Sequence, residues 1–259
     1  MLNLLTAERI KLIRSKKIWI VLSVFTLLPI YQLVNNIIAV HRGTKLVQAM
    51  DTVINGATGI LMMEKNAEII ILIMSAFISF FIGEEFQNGT IRNALSLGRS
   101  RTHYYLSKWM VAALLSLVGV AIMTTLGMVG FTIVFGFGGV AEISHYFSYA
   151  IKTFITLYIL ILANVSVYVL ISFLTKNSGI SLIWGFLYTI VTSIVPGIFQ
   201  QTEHFKYVTY WFTESFLFYS DFANLTDIAK YPEMILVSLI TIVLTSALGI
   251  LIFKRTDIK

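Results

Sequence analysis

The chain has no cysteine, only four aspartates and four histidines, and charged residues make up 12% of it. Without cysteine there is no disulfide, no thiolate metal site and no cysteine nucleophile. Asp51, Asp221, Asp227 and Asp257, with His41, His103, His145 and His204, all fall in polar stretches or tails. The long apolar runs therefore hold no ionised relay, metal cluster or Ser/His pair of the kind that chemistry at membrane depth requires. No G-x-x-x-x-G-K-[ST] segment occurs, so no nucleotide is held by a phosphate-cradling loop of this chain. The expected cofactor set is empty.

What is present is apolar. Soluble domains run at about 25% charged residues, whereas this chain is 57% hydrophobic with a mean hydropathy of +0.84. It is built for lipid. The formal net charge of +6 does not point to nucleic acid, because lysine and arginine sit in short clusters beside apolar runs, the positive-inside arrangement.

Taken in order, residues 1–17 plot as an amphipathic helix, with Leu5, Leu12 and Ile13 on one face and Glu8, Lys11 and Ser15 on the other. That pattern fits a helix lying in the membrane interface, and also a charged tail that merely fixes topology. Span one is Ile18–Val40, with Trp19 at its near interface and Pro29 in mid-helix; it ends without a cleavage site and reads as a retained span. Residues 41–67 read as an outside loop containing a weakly apolar piece, Ala57–Met63, too short to cross. Span two, Ile69–Ile82, is short; it crosses only if its helix continues through Glu84 and Glu85. Span three is Trp109–Phe135, span four Tyr149–Leu174, span five Gly179–Phe199 and span six Met234–Phe253. The expected fold is thus all-α and integral to the membrane: one domain over 1–259, six transmembrane helices and both termini cytoplasmic. Thirteen basic residues then lie inside against six outside, which supports the orientation.

Between spans two and three lies Gly83–Lys108, GEEFQNGTIRNALSLGRSRTHYYLSK, an island of charge between two runs without Asp, Glu, Lys or Arg. Ile91, Ala94 and Leu95 fall at i, i+3, i+4, a small apolar face that Phe86 and Leu97 can flank. Gly98 suits a helix stop, and Ser100 or Thr102 suits the cap of the next helix. The result is a short surface helix with Glu84 and Glu85 before it and Arg99 and Arg101 after it, a form suited to docking in a groove. An inside loop whose basic residues only set topology fits the same residues. The Glu84–Glu85 pair also matches the start of the EExxxR motif of intramembrane CAAX-type proteases, but position 89 is glycine and no histidine has phenylalanine four residues before it. That activity is excluded.

The same stretch resembles the segment that follows the second span in ABC-2 type permeases, the membrane subunits of a class of ATP-binding-cassette exporters. The match runs through Glu85, Phe86, Gly89, Thr90, Arg92, Asn93, Leu95, Ser100, Arg101 and Lys108, and departs at Gly98–Arg99, where the pattern often has proline before the Ser-Arg pair. Beyond these residues the likeness is architectural and covers the whole chain. It implies that residues 84–108 are a coupling helix seated in a cleft of an ATPase subunit, with Glu84, Glu85, Phe86, Gly89, Thr90, Arg92, Asn93, Arg99 and Arg101 as the coupling residues. It implies as partners two ABC ATPase subunits, which bind the ATP and Mg, and a second permease copy or a sister permease. It further implies a multi-pass protein of a bacterial plasma membrane, without enzymatic activity of its own.

The second outside segment, residues 200–233, is aromatic: half of the eighteen residues in 205–222 are Phe, Tyr or Trp. Rings at this density suit helices lying at headgroup depth, either as an anchoring belt or as a contact surface for an amphipathic substrate. Phe205, Tyr207, Tyr210, Trp211, Phe212 and Phe216 are the candidate substrate-exit residues. The resemblance suggests export of an antimicrobial or self-made peptide, with drug or sodium efflux as alternatives. A reading of another class is a membrane sensor or scaffold that recruits a cytosolic protein through the same helix.

Overall fold

A computed structural model describes residues 2–42, 54–64, 66–96, 98–139, 145–200, 210–218 and 231–256. These form helices joined by turns: α1 (Leu2–Arg14), α2 (Lys16–His41), α3 (Gly56–Glu64), α4 (Ala67–Gln87), α5 (Thr90–Ser96), α6 (Arg101–Phe135), α7 (Tyr146–Thr175), α8 (Ser178–Gln200), α9 (Thr213–Phe218) and α10 (Tyr231–Arg255). Six of them, α2, α4, α6, α7, α8 and α10, are long and apolar enough to cross a membrane. Span two does continue past Glu84 and Glu85 to Gln87, as its crossing requires.

α7 is the central post. It packs against α10, α4, α6 and α8, and its Leu157, Leu160, Ile161, Val165 and Val169 are buried. α6, with α2 and α3 on its far side, is 35 residues long. At 1.5 Å per residue it measures about 52 Å, against roughly 30 Å of hydrocarbon. Its first turns, Arg101–Lys108, therefore reach beyond the apolar slab. Close approach between helices is bought with small residues, the usual device where lipid offers no hydrophobic drive for association. A Cβ on Gly119 of α6 would lie 2.4 Å from the Phe25 ring of α2.

One expectation is corrected. Residues 57–63 were expected to lie within an outside loop, yet they form the body of α3, which is packed along the C-terminal half of α6. The physical reason is a pair of glycines: a Cβ on Gly59 would come within 2.9 Å of Phe131 and 3.1 Å of the Gly127 carbonyl. Asn55 and Thr58 cap the helix reciprocally, Asn55 N–H to Thr58 Oγ1 at 2.8 Å and Thr58 N–H to Asn55 Oδ1 at 2.9 Å. The Gly56 and Ala57 N–H groups donate to the carbonyls of Gly136 and Phe137, which ties the start of α3 to the end of α6. A nine-residue helix is too short to span, but its apolar side chains need no span when α6 offers a groove.

Candidate coupling surface

The described residues of the polar island gather at the end of the bundle where α1, the start of α6, the α7–α8 turn and the end of α10 meet. α4 stops because Gly89 takes φ +68, a left-handed conformation that glycine adopts without strain. The Asn88 N–H still reaches the Glu84 carbonyl at 2.8 Å, and the Thr90 hydroxyl donates to the Glu85 carbonyl at 3.2 Å. α5 then runs for seven residues, far too few to hold a helix by propensity alone. Tertiary contact holds it. Ile91 is fully buried, Ala94 and Leu95 pack half-buried beside it, and Gly98 at φ +78 ends the segment. Ser100 caps α6, its hydroxyl accepting from the His103 N–H at 3.1 Å.

Beneath α5 lies a plate of rings drawn from four helices. Phe86 meets Phe173 edge-on at 5.6 Å and Phe253 at 6.3 Å; Tyr104 and Tyr105 close on Phe173 at 6.4 and 4.6 Å. Edge-to-face pairs of this kind add to the area they bury. They give the short helix a rigid mounting.

Of the island's two acids, Glu85 does not face water. Glu85 is buried and accepts from Lys11 of α1, from the Tyr104 hydroxyl and from Lys108, whose Nζ lies 2.6 Å away. The same ammonium reaches Glu8 of α1 at 2.7 Å and sits 4.2 Å from the centroid of the Phe81 ring. Lys108 is wholly buried. Two carboxylates, two ammonium groups and a phenol thus satisfy one another, as a buried charge must be satisfied. Glu84 pairs with Lys17 at the start of α2. Glu8 of α1 is therefore turned into the protein and Lys11 reaches Glu85 from a half-exposed position, while Ile10 and Ile13 are also half exposed.

The predicted coupling residues consequently divide. Thr90, Arg92, Asn93 and Arg99 are exposed, Gly89 is half-exposed between them, and Ser96 joins their surface. Glu84, Glu85 and Phe86 are spent on the mounting. Arg101 is spent elsewhere: its Nη1 donates to the carbonyls of Phe253 and Lys254 at 2.9 Å each and of Thr256 at 2.6 Å, capping the end of α10. Arg9, Arg14, Lys16, Lys254 and Arg255 are exposed at the same end. The three described acids there, Glu8, Glu84 and Glu85, all carry ion pairs. The face presented outward is basic.

Of the candidate exit residues, Phe205 and Tyr207 lie outside the described residues. Trp211 is 71% exposed, Tyr210 and Phe212 are half-buried, and Phe216 is wholly buried with its ring 5.9 Å from that of Tyr210. α9 packs on α8, α7, α10 and α4. Its Glu214 is also wholly buried, although the sequence places it in an outside segment. Sequence reasoning missed Glu8, Lys11, Tyr104 and Glu214 as partners in buried networks. The available signal was the Glu8–Lys11 spacing on one helical face and the lone Lys108 at the foot of an uncharged run.

A family model described as an ABC-2 family transporter protein matches residues 4–192. The match takes in α1 through most of α8, including residues 83–108 but not the end of α10. No curated protein matches the chain.

Proposed function

The chain belongs to the ABC-2 transporter family, and from that premise we propose that it is the permease subunit of an exporter driven by separate ABC ATPases. Membership makes it a multi-pass membrane protein and a transport component of an ABC transporter. The finer reading is that α5 is the coupling helix and that the end carrying it faces the cytosol, with both termini. The observation that carries this reading is the pairing of Glu8, Glu84 and Glu85 with lysines, which leaves Thr90, Arg92, Asn93, Ser96 and Arg99 on a rigidly mounted, basic, protruding helix. Such a surface suits an acidic cleft on a partner. The excess of basic residues at this end supports the orientation.

ATP and Mg belong to the partner: two ATPase subunits close on each other and push two permeases, this chain with a second copy or a sister permease. The α1–Glu85–Lys108 cluster joins the interfacial helix, the coupling helix and α6 into one lever, so a push on α5 moves all three. The compact six-span form, with its aromatic segment around α9, supports an amphipathic substrate, an antimicrobial or self-made peptide, expelled across a bacterial plasma membrane.

The test is copurification from native membranes in mild detergent. An ABC ATPase should accompany the native chain in stoichiometric amount and be lost in Arg92→Glu, with membrane insertion unchanged. Absence of any ATPase across several detergents would overturn the coupling reading and leave a sensor or scaffold in its place.

A further inference from the structure

Glu214 is an acid where the chain otherwise avoids acids. It is wholly buried on α9, level with the middle turns of α7, where Asn164 stands, and of α8, where Tyr188 and Thr192 face its carboxyl. Among the described residues no lysine, arginine or histidine forms an ion pair with it. Asn164 Nδ2 donates to the Leu160 carbonyl at 3.1 Å and to Thr213 Oγ1 at 3.2 Å, and Thr213 in turn donates to Glu214 Oε2 at 3.1 Å. That chain of donation ends with two acceptors unserved: Glu214 Oε1 and Asn164 Oδ1, both buried and without a hydrogen bond.

We propose that Glu214 is a proton-binding site, holding a proton on its carboxyl while α9 is packed in the bundle and releasing it when α9 withdraws. A bare carboxylate in an apolar bundle with no cation beside it is costly, and an unserved buried acceptor adds to the cost. One proton removes the charge and turns the unserved carboxyl oxygen into a donor. Metal cations are less well suited: hard divalent ions take roughly six oxygen ligands, against two orphan oxygens here. When α9 leaves the bundle, the O–H bond breaks, its electron pair stays on the carboxylate and the proton passes to water. Protonation thereby fastens α9, and deprotonation favours its exposure. The titratable groups that face Glu214 are Tyr188 on α8 and Tyr168 on α7. The other helices packed on α9 carry theirs near their ends: Glu68, Glu84 and Glu85 on α4, and Tyr231, Glu233, Lys254 and Arg255 on α10. Glu214 itself lies beyond residues 4–192, the reach of the family match, and stands apart from the ATPase reading.

Two measurements on the full chain in lipid nanodiscs test it. Infrared spectra at pH 7 should contain the carbonyl band of a protonated carboxyl, shifted by 13C-labelled glutamate and absent from Glu214→Gln. Because the chain lacks cysteine, a single Leu217→Cys gives a clean maleimide reporter of α9 withdrawal. The ratio of its labelling rate in the native background to that in Glu214→Gln should climb with pH, by about tenfold per unit as one-proton release dictates. Sodium should not alter it. An infrared spectrum without the band, a ratio that is flat with pH, or protection of the reporter by sodium would each overturn the proposal, the last in favour of an alkali-ion site.

Discussion

Lys108 of α6 and Glu8 of α1 are joined by an ion pair of 2.7 Å across a separation of 100 positions, and neither side chain is more than 6% exposed. The pair fixes α1 to the foot of the third span, and Glu85 extends it to the end of α4. Removing one partner of a buried cluster costs about 3–5 kcal/mol because the remaining charge is stranded. Lys108→Met should therefore lower the thermal unfolding midpoint in detergent sharply. Adding Glu8→Leu to it should recover part of the loss. A Lys108→Met protein as stable as the native one would show that the cluster carries no such weight.

The three carbonyls held by Arg101 Nη1 predict a local effect. Arg101→Ala should fray the last turn of α10 at a cost of about 1 kcal/mol. Amide exchange should speed up in residues 250–256, with residues 90–96 little changed. Arg101→Lys, with a single ammonium in place of a planar fork, should restore protection only in part. Equal protection in all three proteins would contradict the cap.

Two glycines separate conformation from packing. A Cβ on Gly89 would touch nothing within 4 Å, so Gly89→Ala costs only its φ of +68, roughly 1–2 kcal/mol. That cost falls on the turn into α5, and the expected result is weaker retention of the ATPase with normal insertion. Gly59→Val has no such φ to satisfy but collides with Phe131 and the Gly127 carbonyl. It should detach α3 from α6 and expose residues 56–64 to exchange, leaving the coupling surface as it was. Interchanged outcomes would refute both assignments.

Ile91 is the one fully buried side chain of α5. Truncating a buried isoleucine to alanine costs about 2–5 kcal/mol, more than a seven-residue helix can hold in reserve. Ile91→Ala should release α5 from the ring plate, seen as loss of amide protection over 90–96 while the spans remain protected. If α5 stays protected, its anchor lies elsewhere.

The partner interface should weaken with salt. Arg92 and Arg99 are exposed, and attraction between exposed charges decays over about 8 Å at physiological ionic strength. ATPase retention should fall as salt rises, and fall less steeply in a double Arg92→Gln, Arg99→Gln protein. Identical salt profiles would place the contact away from these arginines.

The sequence by itself determined the helical class, the six spans and the position of the short helix between spans two and three. Those follow from local quantities: an apolar run long enough for the bilayer, a glycine where the backbone must turn left-handed, Ile91, Ala94 and Leu95 at one helical face. Even the short second span was legible, because α4 had to continue through Glu84 and Glu85 to be long enough. What the tertiary structure alone decided is which way the polar groups point. Whether Glu8 meets water or Lys108, whether Arg101 serves a partner or the end of α10, and whether residues 57–63 hang in a loop or lie on α6 depend on residues far away in the chain. Glu214 is the sharpest case. Its neighbours in sequence mark an outer aromatic segment, but Asn164 and Tyr188 receive it inside the bundle. An ionisable group is assigned by its surroundings, since burial and pairing set its free energy, and those surroundings exist only once the helices have packed.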